Sequence, residues 1–145
     1  MEELDEIPSF PVFENTFDSM DIPGEIGVAV SRETTESRIC LAVGKSKDGC
    51  RKYLLEGDPY QITESKVITP DEYDTFISYL EELPARNGMI AADVLDGEGY
   101  MVKWRTADHE FRFVLCNPNC LELDYYKRIG TKLAALFGNE CIVKK

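Results

Sequence analysis

A chain of 145 residues, 43% hydrophobic and 30% charged, has the size and composition of one ordinary globular domain rather than of the apolar-poor class that stays unfolded. Its apolar runs are a few residues long, against the roughly 20 that a membrane-spanning helix needs, and the opening MEELDEIPSF carries acids where a secretory signal carries bases, so the cytosol is the expected location. A formal net charge of −11 disfavours direct nucleic-acid binding, because phosphates are met by clustered Lys and Arg.

Residues 1–25 are acidic and broken by Pro8, Pro11 and Pro23, yet they carry Phe10, Val12, Phe13, Phe17, Met20 and Ile22. Disordered segments are poor in aromatics, so this arm is expected to lie against the body. Strand patterns follow over Ile26–Ser31, Arg38–Val43, Arg51–Leu55 and Tyr60–Val67, with turn chemistry at Lys47-Asp48-Gly49 and Gly57-Asp58-Pro59. An antiparallel meander is the simplest arrangement of these four.

The sharpest local signal is Thr69-Pro70-Asp71-Glu72. Threonine can accept an orphan amide as N-cap, proline suits the first helical position, and the glutamate completes a capping box. The helix it opens places Tyr73, Phe76, Ile77, Leu80 and Leu83 on one core-facing stripe, turns Asp74, Ser78, Glu81 and Glu82 outward, and stops at Pro84. Met89–Val94 reads as a strand and Asp96-Gly97-Glu98-Gly99 as its turn into Tyr100–Thr106. In that strand Tyr100, Val102 and Trp104 share one face, and Met101, Lys103 and Arg105 the other, which predicts one buried side. Glu110–Cys116 completes a hairpin. After Asn117-Pro118-Asn119, an amphipathic helix from about Leu121 to Phe137 offers Tyr125 or Tyr126, Ile129, Leu133, Leu136 and Phe137 to the core, with Gly138 and Asn139 as its stop.

The fold class expected is therefore α+β: an antiparallel sheet of six or seven strands with two main helices packed on one face. Without a repeat or low-complexity segment, residues 1–145 are expected to form a single domain. An open edge, such as Ile26–Ser31, leaves room for homodimerisation.

The sequence carries no legible catalytic apparatus. Five cysteines, Cys40, Cys50, Cys116, Cys120 and Cys141, are an odd number without an export signal, so reduced thiols are expected rather than a disulfide framework. Cys40 and Cys116 read as small strand hydrophobes. Cys116 and Cys120 imitate half of a metal site, but a second close pair is missing and His109 is the single histidine. Val43-Gly44-Lys45-Ser46 lacks the upstream glycine of a phosphate loop. The acids of Asp93–Glu98 fail calcium-loop spacing. His109 falls in a hairpin turn, and Cys120, if it opened the last helix, would have a lowered thiol pKa. His109 and a thiol, Cys116 or Cys120, are the candidates for a small thiol- or carboxylate-dependent enzyme; the preferred reading assigns no catalytic, cofactor-binding or metal-ligating residue.

Charge is distributed unevenly. Residues 1–36 hold Glu2, Glu3, Asp5, Glu6, Glu14, Asp18, Asp21, Glu25, Glu33 and Glu36 against Arg32 alone, a balance of −9 within the total of −11. Such a field either keeps the protein dispersed or speeds encounter with a basic partner.

The last third of the chain resembles bacterial immunity proteins of polymorphic-toxin and contact-dependent growth inhibition systems. The resemblance rests on Asp96-Gly97, Tyr100-Met101-Val102-Lys103-Trp104, Phe111-Arg112-Phe113, Asn117-Pro118 and the closing helix Ile129 to Phe137. Where that pattern more usually has tryptophan before the proline, this chain has Cys116-Asn117. The resemblance implies a cytosolic, non-catalytic antidote that binds one cognate toxin, often a basic nuclease. On that reading Glu14, Asp18, Asp21 and Glu25, with Asp74, Glu81 and Glu82 of the capped helix, form one electronegative face against a basic toxin domain. The alternative is an adaptor or regulator that binds a basic cellular protein.

Overall fold

The computed structural model describes residues 4–7, 11–34, 37–84, 86–91 and 98–139. Glu2, Glu3, Glu36, Cys141, the Asp96-Gly97 turn and the last three residues of the Met89–Val94 strand lie outside them. The elements are α1 (Pro11–Ser19), β1 (Ile26–Glu33), β2 (Arg38–Ser46), β3 (Gly49–Glu56), β4 (Gln61–Ile68), α2 (Pro70–Ser78), β5 (Gly88–Ala91), β6 (Glu98 leading into Gly99–Arg105), β7 (Glu110–Cys116), a one-turn 3-10 helix (Pro118–Cys120) and α3 (Asp124–Asn139). No described helix is long and apolar enough to cross a membrane.

The fold is α+β, with one seven-stranded sheet in the order β4-β3-β2-β1-β6-β7-β5. The four-strand meander and the β6–β7 hairpin are antiparallel as expected, whereas β5 runs parallel to β7. β1 pairs with β2 on one side and β6 on the other. Ile26–Ser31 is thus the middle of the sheet and cannot be an open edge; the edges are β4 and β5.

Both faces of the sheet are covered, which explains the unbroken apolar run of β2. Leu41 and Val43 face a core shared with Phe76 of α2, with Leu80 just beyond that helix and with Ile129, Leu133 and Leu136 of α3. Cys40 and Ala42 face a second core with Phe17, Met20 and Ile22. The two main helices pack on one face, as the sequence predicts, and the N-terminal segment packs on the other. It does so with a helix that the sequence reading left undivided: Phe13, Phe17 and Met20 recur at four and three residues, and Pro11 occupies the first helical position.

Close approach requires glycine at two points under this segment. A Cβ on Gly27 would lie 2.6 Å from the Val43 carbonyl oxygen and 2.7 Å from Ile22 Cδ1, and one on Gly88 would overlap the Leu4 side chain. The backbone of Asp5 exchanges two hydrogen bonds of 2.8 Å with Met89, so the chain's start covers the outer edge of β5.

The capping box of α2 is present: Thr69 Oγ1 accepts from the Glu72 amide at 3.1 Å, and Glu72 Oε1 accepts from the Thr69 amide at 3.0 Å. Regular helix ends at Ser78, whose hydroxyl donates to the Thr75 carbonyl, and residues 79–83 continue in tighter turns closed by Leu80 to Ile77 and Leu83 to Leu80. Leu80 and Leu83 stay buried. The last helix begins three residues later than expected, because Asn117 turns the chain through a left-handed conformation (φ 51°) into the 3-10 turn and Leu121 is extended.

Candidate functional site

Strand alternation gives the α1 side of the sheet a basic centre. β6 places Lys103 and Arg105 there beside Met101, and β7 places Arg112 opposite Lys103. The N-terminal segment supplies their partners. Lys103 Nζ donates to the Phe17 carbonyl at 3.0 Å, within the last turn of α1, where free carbonyls favour a cation and the helix has no base of its own. Arg112 stacks 5.2 Å from the centre of the Phe17 ring and pairs with Asp18 at 3.5 Å. Arg105 pairs with Asp21 at 3.1 Å and donates to the carbonyls of Ile22 (2.8 Å) and Gly24 (3.1 Å). The β6 face expected to meet water is therefore buried, Lys103 to 9% exposure.

The seven acids named from the sequence fall into two groups on opposite faces of the sheet. Glu14, Asp18, Asp21 and Glu25 are exposed on the α1 side; Asp74, Glu81 and Glu82 belong to the α2 side. They do not form one face, because the strand that α1 covers and the strand face that α2 covers alternate residue by residue. Asp18 and Asp21 are held by the arginines just described. Glu82 bridges Arg128 (2.8 Å) and Lys132 (2.9 Å) of α3, while its carbonyl accepts from the Tyr125 hydroxyl. The hydrogen bonds from Lys132 and Arg128 hold the Glu82 carboxyl below the usual carboxylate range. Asp74 and Glu81, by contrast, lie exposed with no cation in ion-pair contact among the described residues, and Asp71 next to them is alike. Residues 69–84 contain no base; cations reach them from the sheet, where Lys45 lies 5.5 Å from the centre of the Tyr73 ring and, after the hydrogen bond from the Thr69 amide, Lys66 and Lys52 help to hold the Glu72 carboxyl below its usual range.

No protein-family model matches the chain, and no curated protein is similar to it. Function has to be argued from the site alone.

The nucleophile candidates have the wrong surroundings. Burial, and then Glu33, push the Cys40 and Cys116 thiols up. Cys120 is exposed in the 3-10 turn rather than in the first turn of α3, so it lacks the helix terminus that would activate it. His109 is exposed in the β6–β7 turn, where its backbone carbonyl accepts from the Thr106 amide and its ring lies 6.0 Å from that of Phe111. A polar cluster that the sequence reading missed joins Ser31 to Tyr60 (2.8 Å) and to Glu33 (2.8 Å), with Arg38 reaching Glu33 (3.3 Å) and Asp58 (2.9 Å). Burial pushes the Tyr60 hydroxyl up, and Arg38 lies over its ring at 4.7 Å. This arrangement fastens the β3–β4 turn to β1 and β2, with the Ser31 hydroxyl donating to the Glu33 carboxylate. Among the described residues no group of three or more His, Cys, Asp or Glu side chains could hold a metal ion. A pocket of about 480 Å³ between α1 and the start of β5 is lined by three acids, Asp5, Glu6 and Glu14, and two bases, Arg86 and Arg112.

Proposed function

We propose that this protein is a cytosolic, non-catalytic binding protein, an immunity protein that neutralises a basic toxin domain by docking it on the outer surface of α2. The observation that carries the reading is the contrast in charge pairing: Asp18, Asp21 and Glu82 are each paired with a cation of the chain, while Asp71, Asp74 and Glu81 are exposed with no ion-pair partner among the described residues. Such a patch draws a basic partner into encounter and favours one orientation of approach.

The test is growth rescue in cells that express a basic toxin domain encoded beside this protein's own gene, where one is found. The wild-type chain restores growth; Asp74→Asn with Glu81→Gln loses rescue while changing stability by no more than about 0.5 kcal/mol, as surface changes do. In the purified pair, association slows steeply as salt rises, because screening shortens to about 10 Å at 0.1 M ionic strength. Failure of the wild-type chain to rescue, or an association rate indifferent to salt, would overturn the reading. Capture of a basic protein from cells without any toxin gene would favour the adaptor instead.

A further inference from the structure

The two edges of the sheet are treated differently. β5 is covered by the backbone of Asp5, whereas Gln61 to Val67 of β4 are exposed and nothing among the described residues pairs with the outer side of that strand. β4 also carries two of the three exposed large hydrophobic side chains among the described residues, Val67 at 71% and Ile62 at 42%. A strand edge of this kind is a template for a further strand.

We infer that β4 pairs antiparallel with β4 of a second copy, about a two-fold axis through Ser65, doubling the sheet. The register follows from two constraints. In an antiparallel ladder both backbone groups of a residue point to the same neighbour and successive residues alternate. Outward-pointing residues must therefore meet outward-pointing residues, which puts the axis of a symmetric pair through a residue rather than between two. The second constraint is charge. β4 is regular against β3 from Glu64↔Leu54 to Ile68↔Cys50 and is interrupted by a register shift next to Thr63. Within that run, an axis through Glu64 sets glutamate against its own copy, and an axis through Lys66 sets lysine against its own copy. An axis through Ser65 sets Glu64 opposite Lys66 twice. An axis through Val67 sets no like charges opposite each other but keeps only Lys66 to Ile68 of the strand in the ladder, so charge and length together favour the axis through Ser65, since opposite charges directly across a ladder attract and like charges repel. The axis is normal to the sheet, so both α2 helices emerge on the same face of the doubled sheet. The occupant is a second copy because this charge order is complementary to itself.

Sedimentation equilibrium over a concentration series tests the pairing. The wild-type chain forms a dimer. Glu64→Lys alone and Lys66→Glu alone each put like charges opposite each other at two places and weaken the dimer by at least about tenfold. The double variant Glu64→Lys with Lys66→Glu restores opposite charges and recovers wild-type affinity. Ser65→Cys in a Cys120→Ser background forms an intermolecular disulfide on mild oxidation, whereas Cys120→Ser alone does not. A chain that stays monomeric at every concentration overturns the inference, as does a dimer indifferent to the single reversals, a double variant as weak as the singles, or a monomer that takes up a strand from another protein.

Discussion

Residues 11–25 and residues 69–84 are two acidic stretches without a single base, and the fold uses them in opposite ways. The first lies across Lys103, Arg105 and Arg112, which come from strands more than eighty residues away, and its Asp18 and Asp21 meet those cations. Among the described residues the second has ion pairs only at its far end, where Glu82 meets α3, and leaves Asp71, Asp74 and Glu81 exposed, with Lys66 and Lys52 acting on Glu72 from the sheet. Net charge along a sequence therefore does not locate a binding surface. The charge left after the chain has paired with itself is what an approaching molecule meets, and in residues 69–84 Asp71, Asp74 and Glu81 keep no ion-pair partner among the described residues.

The comparison breaks first if the N-terminal segment is only an electrostatic tail. Phe17 is 1% exposed and shares a core with Met20, Ala29 and Met101. Truncation to Phe17→Ala is expected to cost about 3–5 kcal/mol in urea unfolding, the usual range for a buried phenylalanine. A loss below about 1 kcal/mol, the scale of a surface change, would mean that α1 does not hold its place by burial.

A smaller effect is expected where the segment turns from α1 into β1. Arg105 holds Asp21 and the carbonyls of Ile22 and Gly24 together, so Arg105→Ala should cost about 1–3 kcal/mol for the lost charge-assisted hydrogen bonds. Arg105→Lys should recover only part of it, because a single ammonium cannot reproduce the planar fork. If lysine restored full stability, plain charge attraction would be enough and the fork geometry would not matter.

What could be read from the sequence follows from how local each cause is. The capping box at Thr69 is a four-residue event, so α2 was legible to its first residue. The strands of the meander were legible because each is bounded by its own turn chemistry. The contacts of Lys103, Arg105 and Arg112 were not, because strand alternation marks them as polar positions and only the docking of α1, far away in the chain, makes them interior. β5 next to β7 was missed for the same reason: four residues, Gly88–Ala91, do not reveal a parallel partner. The division of the candidate acids between two faces also depends on the sheet order, which places the α1 side and the α2 side back to back. The signal available for α1 was the spacing of Phe13, Phe17 and Met20, masked by the prolines around it.

Glu82 sharpens the comparison, because it belongs to the second stretch by sequence and to the first by behaviour. Lys132 and Arg128 hold its carboxyl below the ordinary range in the folded protein. A depressed folded value means that the unfolded chain binds the proton more readily. Its stabilising contribution is therefore complete above the unfolded value, roughly pH 4.3 for glutamate, and is lost as pH falls through the folded value. Glu82→Gln keeps the shape of the side chain and removes the charge, so the stability difference between wild type and variant should be largest near neutrality and shrink to nothing in acid, where the protonated glutamic acid resembles the amide. Urea unfolding of both proteins across that pH range measures it. A difference that stays constant down the series would show that Glu82 is not paired with α3 in solution, and its carboxylate would then count with Asp74 and Glu81 among the unpaired acids of the second stretch.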